Sequence, residues 1–330
     1  MGCDSCVVSL IGFLEIIGKK DVLLDWLRDH DVIRRDKKCE RCGNICSLKS
    51  DFRFVCGKTI TTIRHKRKLK TRCRFSAALR NNTFFAKSSL SMENICKFVL
   101  LWSVLRPPRT KFIMDELGMA SSTVTDWSSY CREVCINWCH KMKQKIGGVG
   151  VAVEIDEAKI RKRKTYKGRI IKEKWLFGGF ERESKKMFVC SVEDRTKETL
   201  LAVIKDFILP GTTIISDCWN AYDCLKDEGF EHLTVNRSIN FVNPSTGAHT
   251  QNIGRCWRDV RGSVPKYGGR ELHLEGYLCE FLWKRSVPNH LDRMHSFFKM
   301  ISSVYNPFDD ELKIECIAEN DSEMKMIPDG

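Results

Sequence analysis

Two aspartates close two apolar runs: Asp156 ends VAVEID and Asp217 ends TTIISD. Short apolar runs rich in β-branched residues read as buried strands. Two strands that end in Asp at one sheet edge bring two carboxylates side by side, and Mg²⁺ or Mn²⁺ relieves their repulsion. Phosphodiester chemistry uses such pairs to hold two metal ions about 4 Å apart, one activating the attacking oxygen and one stabilising the leaving oxygen. The plainer alternative is that each Asp caps the turn after it. Asp217 suits that reading, because a helix is expected directly beyond it.

A second chemistry belongs to sulfur. Cys39-x-x-Cys42 is a knuckle that presents two thiolates to one metal, and Cys56 with Cys73 completes a tetrahedron. Cys46 and His65 are rival ligands. Four protein ligands leave no open position, so the zinc expected here is structural. The surrounding stretch, residues 37–85, lacks apolar periodicity and contains the cationic run RHKRKLKTRCR at 64–74. A segment this polar has little else to fold around. The chain has 17 cysteines, an odd number. Residues 6–17 are apolar, but Asp4 precedes them, Glu15 interrupts them and no basic segment leads in, which argues against a secretory signal. The run is also too short to cross a bilayer. A reducing compartment is expected, where clustered cysteines mean metal before disulfides. Cys96, Cys131, Cys135 and Cys139 read as small core residues or helix-face thiols.

The elements that must position these groups follow from periodicity. Leu10, Phe13, Leu14 and Ile17, then Leu23, Leu24, Trp26 and Leu27, predict one or two helices. Ser91 is placed to cap a helix that Pro107 and Pro108 stop. Residues 111–138 read as helix, a turn at Gly118 and a second helix capped near Ser121 or Ser122, a helix-turn-helix pattern that is also common in plain helical hairpins. Gly147, Gly148 and Gly150 mark a linker. Strands are expected at 151–156, 175–181, 186–193, 212–217 and 232–236, and helices at 195–207, 219–228, 247–262 and 273–284. Three consecutive strands followed by alternating helix and strand is the order of an RNase H-like α/β fold. The expected organisation is N-terminal helices at 1–36, a zinc-ribbon-like module at 37–86, a helical DNA-binding region at 87–146, the α/β domain at 151–306 and a flexible acidic tail at 307–330. With 330 residues, 42% of them hydrophobic, a large core and two or three domains are in reach. The formal net charge of +14 calls for a polyanionic partner, because Lys and Arg displace condensed counterions from phosphates.

The stretch from VEIDEAKIRK to ISDCWNAYDCL, the later TVNRSINFVNPSTGAHTQNI with RCWRDVRGSVP, and YLCEFLWKR resemble the catalytic domain of Merlin transposases and their bacterial insertion-sequence relatives. CERCGN, RFVCGK, TRCRFSAALRNNTFF and ELGMASSTVTDWSSYCREVC resemble the same family's N-terminal region. The resemblance covers roughly residues 20–300, with its motifs in order. It implies an RNase H-like DDE domain, divalent metal, cut-and-paste transposition and a DNA-binding role for the helix-turn-helix. Asp156 matches the first catalytic carboxylate and Asp217 the second. The third is normally a Glu in a motif like HTQNIExxW, and here Gly254 holds that position. Glycine offers no ligand and weakens a helix interior by about 1 kcal/mol relative to Ala. No other acid replaces it. Asp259 is about 140° further round the helix. Glu157 faces the opposite side of its strand, Glu154 sits one pleat back, and Glu280 lies on another helix. The resemblance therefore implies a nuclear, transposase-derived protein that binds double-stranded DNA, such as transposon terminal repeats, with impaired catalysis. A homodimer is one option for its assembly. A domesticated non-catalytic DNA-binding protein, a decaying copy of the element and a residual metal-dependent nuclease are the alternatives.

Overall fold

The structure is a computed structural model that describes residues 2–64, 67–161, 164–166, 169–171, 174–218, 220–265 and 273–308. The acidic tail beyond 308, and His65 of the rival ligand pair, lie outside the described residues. The chain divides into two compact units, Met1–Leu100 with Leu291–Gly330, and Leu101–His290.

In the first unit the Ser9 hydroxyl accepts the Gly12 N–H at 3.0 Å and so opens α1, Leu10–Ile17. Helix α2, Lys20–Asp29, buries Leu23, Leu24 and Leu27. A small four-stranded antiparallel sheet follows, built from β1 (Lys37–Lys38), β2 (Ile45–Leu48), β3 (Arg53–Val55) and β6 (Ser76–Ala78). Between its last two strands the chain runs out and back as a hairpin, β4 (Thr59–Arg64) and β5 (Arg67–Arg72), in register Thr59↔Arg72 to Arg64↔Arg67. Helix α3, Met92–Val104, has the cap expected of it, the Ser91 hydroxyl accepting from the Asn94 N–H at 3.2 Å. It begins in the first unit and ends in the second.

The second unit opens with α4, Thr110–Leu117, closed by Gly118 in the left-handed conformation at φ 62°, and α5, Ser121–Lys141. Ala120, not a serine, occupies the N-cap of α5. The glycines expected as a linker form a hydrogen-bonded turn instead. The Gly147 N–H donates to Glu181 Oε2 at 2.7 Å and the Gly148 N–H to Thr212 Oγ1 at 2.8 Å, and a Cβ on Gly147 would collide with the Thr212 hydroxyl. Here β7, Ile146–Gly147, begins the α/β part of the unit. The remaining elements are β8 (Ala152–Arg161), the short pair β9 (Lys164–Tyr166) and β10 (Arg169–Ile171), β11 (Lys174–Glu181), β12 (Met187–Val192), α6 (Lys197–Phe207), β13 (Ile208–Leu209), β14 (Thr213–Asp217), a 3-10 helix (Asn220–Lys226), β15 (Glu231–Val235), α7 (Gln251–Ser263) and α8 (Leu274–Ser286). The final helix α9, Arg293–Val304, returns to the first unit. There Phe298 packs against Trp26 and Phe13, with ring centroids 4.8 and 5.9 Å away.

The main sheet has the order β12-β11-β8-β14-β15. The first three strands form an antiparallel meander, and β14 and β15 add to β8 in parallel. This is the mixed α/β order expected from the sequence. The period-2 alternation divides β8 between two cores. Val153 and Ile155 pack with Phe177 and with Leu200 and Ile204 of α6. Ala158 packs on the other face with Ile253, Trp257 and Val260 of α7 and Leu278 of α8. Asp156, being even-numbered, stands on the α7 face.

Candidate active site

Parallel pairing sets Ile215 opposite Glu154, and two residues further along each strand come Asp217 and Asp156. The two candidate carboxylates therefore occupy equivalent positions on neighbouring strands, which lie about 4.8 Å apart in any sheet. They lie close enough for the Asp217 charge to help raise the pKa of Asp156. Burial is the larger cause, Asp156 being only 7% exposed, and the Arg237 guanidinium opposes it.

Two groups hold the Asp156 carboxylate. The Trp257 indole N–H of α7 donates to its Oδ2 at 3.2 Å. Arg237 Nη2 sits 3.0 Å from the same oxygen, while Arg237 Nε donates to Thr250 Oγ1 at 2.8 Å. Gly178 pairs with Asp156 across the strands. A Cβ there would come within 2.9 Å of the Trp257 ring, so the glycine is what lets the indole reach the carboxylate.

Helix α7 is latched to the same strand. Glu154 is fully buried and accepts the backbone N–H groups of Asn252 at 2.9 Å and Ile253 at 3.1 Å. The Asn252 side-chain amide adds a bond at 2.8 Å and Arg182 Nε another at 2.9 Å. A carboxylate at a helix N-terminus meets unsatisfied donors and the positive end of the dipole, so it fixes where the helix starts. Glu154 is thereby consumed in positioning. Gly254, three residues before Trp257, is exposed on α7, and a Cβ added to it would meet nothing within 4 Å.

The other acids are placed as follows. Asp259 is exposed on α7. Glu280 is buried in an ion pair with Arg109, its oxygens 2.7 and 2.9 Å from the guanidinium nitrogens. Glu157 follows the odd face of β8, but burial and then the charges of Asp156 and Asp217 push its pKa up to about 8. Its Oε1 has no hydrogen-bond partner among the described residues.

In the first unit the four expected thiols converge. Cys39 and Cys73 sulfurs are 3.6 Å apart, Cys42 and Cys56 sulfurs 3.5 Å, and all four lie within 4.8 Å of one another. Sulfurs on a tetrahedral zinc at about 2.3 Å would be roughly 3.8 Å apart, so the set fits such an ion. Cys46 stays outside the cluster, its thiol turned to the Asn44 carbonyl at 3.9 Å. Cys96, Cys131 and Cys135 are fully buried core thiols. The sequence reading assigned no role to Cys3, Cys6, His30 and His295, which also converge. The signal available for them was the second Cys-x-x-Cys at the start of the chain.

No described helix is long and apolar enough to cross a membrane. Residues 146–286 match the family model of the ISXO2-like transposase domain. A transposase-like protein of Haemophilus influenzae is 27% identical over 100 residues, 30% of this chain and 80% of that protein. Among solved structures, the HTLV-2 integrase catalytic core domain in complex with magnesium aligns at 16% identity over 43% of this chain and 87% of that one, with a TM-score of 0.29. The simian T-cell lymphotropic virus intasome aligns at 14% identity over 58% of this chain and 70% of that one, also at 0.29. The family-model match over residues 146–286 and the transposase-like relative support a transposase domain of the DDE type.

Proposed function

We propose that this chain is a transposase-derived protein of the Merlin type that binds double-stranded DNA in the nucleus and cuts it poorly or not at all. The reading rests on one observation: Asp156 and Asp217 are level on adjacent strands, and the helix covering them presents Gly254 to open space. Two carboxylates suit one Mg²⁺ or Mn²⁺, and the Arg237 guanidinium beside Asp156 marks the position as one that takes a cation. A bound metal pair would supply Lewis-acid activation of the attacking oxygen and stabilisation of the leaving one. Without a carboxylate at 254 the second ion of that pair lacks its anchor.

DNA contacts are assigned to the zinc-ribbon-like module, residues 37–86, and to the helix-turn-helix within 87–146. Zinc at Cys39, Cys42, Cys56 and Cys73 would fix the base of the β4–β5 hairpin, whose Lys68, Lys70 and Arg72 are exposed. A homodimer would supply one copy for each transposon end.

The test compares wild type with Gly254→Glu on DNA obtained by binding-site selection. Both should bind. Cleavage in Mg²⁺ should be feeble for wild type and rise by about 100-fold or more in the variant, since restored alignment is worth several kcal/mol. Robust wild-type cutting that the substitution leaves unchanged would overturn the reading. One observation favours a residual nuclease instead: Glu157, next to Asp156 in the chain, has a buried carboxyl oxygen with no hydrogen-bond partner among the described residues. In that case Glu157→Gln would abolish the wild-type cutting.

A further inference from the structure

Cys3, Cys6, His30 and His295 offer four ligand atoms that all lie within 4.8 Å of one another. The Cys6 sulfur is 3.4 Å from His30 Nε2 and 3.4 Å from His295 Nδ1, the Cys3 sulfur is 3.6 Å from His295 Nδ1, and the two imidazole nitrogens are 3.1 Å apart. On a tetrahedral zinc with bonds of about 2.3 Å to sulfur and 2.05 Å to nitrogen, the sulfur–nitrogen edges are roughly 3.5 Å and the nitrogen–nitrogen edge roughly 3.3 Å. The observed separations match those edges.

The approach of the His30 ring is also set. His30 Nδ1 lies 2.7 Å from the Trp26 carbonyl. That carbonyl can only accept, so Nδ1 carries the proton and Nε2 turns its lone pair to the cluster, the arrangement that metal-bound histidines adopt through their outer partners. Trp26 also stacks on the ring, centroids 3.7 Å apart. His30 is 1% exposed. The segment that carries Cys3 and Cys6 is pinned at both ends, Cys3 N–H donating to the Asp29 carbonyl at 2.6 Å and Val8 N–H to the Leu291 carbonyl at 3.0 Å.

We propose that these residues form a second structural zinc site, with Cys3 and Cys6 as thiolates and His30 and His295 as neutral imidazoles. Two sulfurs and two nitrogens in a tetrahedron select zinc over hard cations such as Mg²⁺ and Ca²⁺. The ion would clip the chain start to the end of α2 and to the first turn of α9, joining positions 292 residues apart in sequence within the first unit. All four positions are filled by protein, so the site has no open coordination for substrate.

The full-length protein, produced with zinc in the medium, decides the matter by elemental analysis. About two zinc ions per chain are expected, falling to about one in Cys6→Ser, in His295→Ala and, independently, in Cys42→Ser. Cobalt replacement in the unmutated chain gives a second readout that needs no variant to fold. It should show two sets of ligand-field bands, one typical of four thiolates and one, at shorter wavelength, typical of two thiolates and two imidazoles. A single zinc per chain that survives His295→Ala and vanishes in Cys42→Ser, or a cobalt spectrum with the four-thiolate bands alone, overturns the proposal.

Discussion

Arg109 places two guanidinium nitrogens on the Glu280 carboxylate, and the Lys284 ammonium lies 3.0 Å from the same group. Burial by itself would raise the pKa of Glu280; the Arg109 guanidinium and then the Lys284 ammonium outweigh it and hold the carboxyl down to about 2. A folded pKa below the unfolded one stabilises the fold at every pH above the unfolded value of 4.5, and that contribution is lost as pH falls from there through about 2. Glu280→Gln should therefore cost about 3–5 kcal/mol at neutral pH, because it leaves Arg109 buried with its charge unmet. It should also flatten the acid limb of the stability curve, measured by urea unfolding between pH 5 and pH 2. Replacing both partners at once, Arg109→Met with Glu280→Leu, should recover much of the loss. If the single variant unfolded at the wild-type urea concentration, the pair would have no structural weight and Glu280 would be free for another role. The acid of YLCEFLW was visible in the sequence, but its partner was not, since Arg109 is 171 residues away.

At the scale of elements, what the sequence made legible was whatever depends on near neighbours. Four strands of the main sheet fall within one residue of their expected ranges, because β-branched alternation is a local signal; β8 starts as expected but runs on to Arg161, five residues past the expected end at Asp156, through the charged stretch that pairs with β11. Helix α7 starts at Gln251 and not at 247, since Asn243 turns the chain first, its side-chain oxygen accepting the Ser245 and Thr246 N–H groups. The expected helix at 219–228 is a single 3-10 stretch. Three features of the site stayed hidden: the Glu154 latch, the Arg237 contact and the room that Gly178 leaves for Trp257. Each joins a strand to a segment dozens of residues away. The β4–β5 hairpin was hidden too, because a run of cations reads as loop. Its pairing puts Lys68, Lys70 and Arg72 on one face at period two, all exposed. Replacing the three with Ala should lower the slope of log affinity against log salt by about 3, one phosphate contact for each. Filter binding over a salt series checks this, and an unchanged slope would move the DNA contact elsewhere.

For the molecule as a whole, the formal charge of +14 and the cysteine clusters bear on one property. Cys73 directly follows Arg72, so the four-thiol cluster and the cationic hairpin are joined with no linker between them. Chelating zinc from the intact chain should weaken binding to double-stranded DNA by about tenfold or more, as ordered phosphate contacts are lost. The α/β unit should keep its near-ultraviolet signal, since its two apolar cores contain no thiol cluster. Simultaneous collapse of both signals would mean that the metals support the whole fold. The open space around Gly254 has a different kind of consequence. The latch at Glu154 and the wedge at Trp257 hold α7 without help from residue 254, and no neighbour would be displaced by a side chain there. A carboxylate at that position can thus be gained or lost without repacking a neighbour, at a change in helix propensity of no more than about 1 kcal/mol. Two of the four glycine codons, GGA and GGG, are one transition from a glutamate codon, so on the function proposed above a single base change would separate an impaired copy from a competent one.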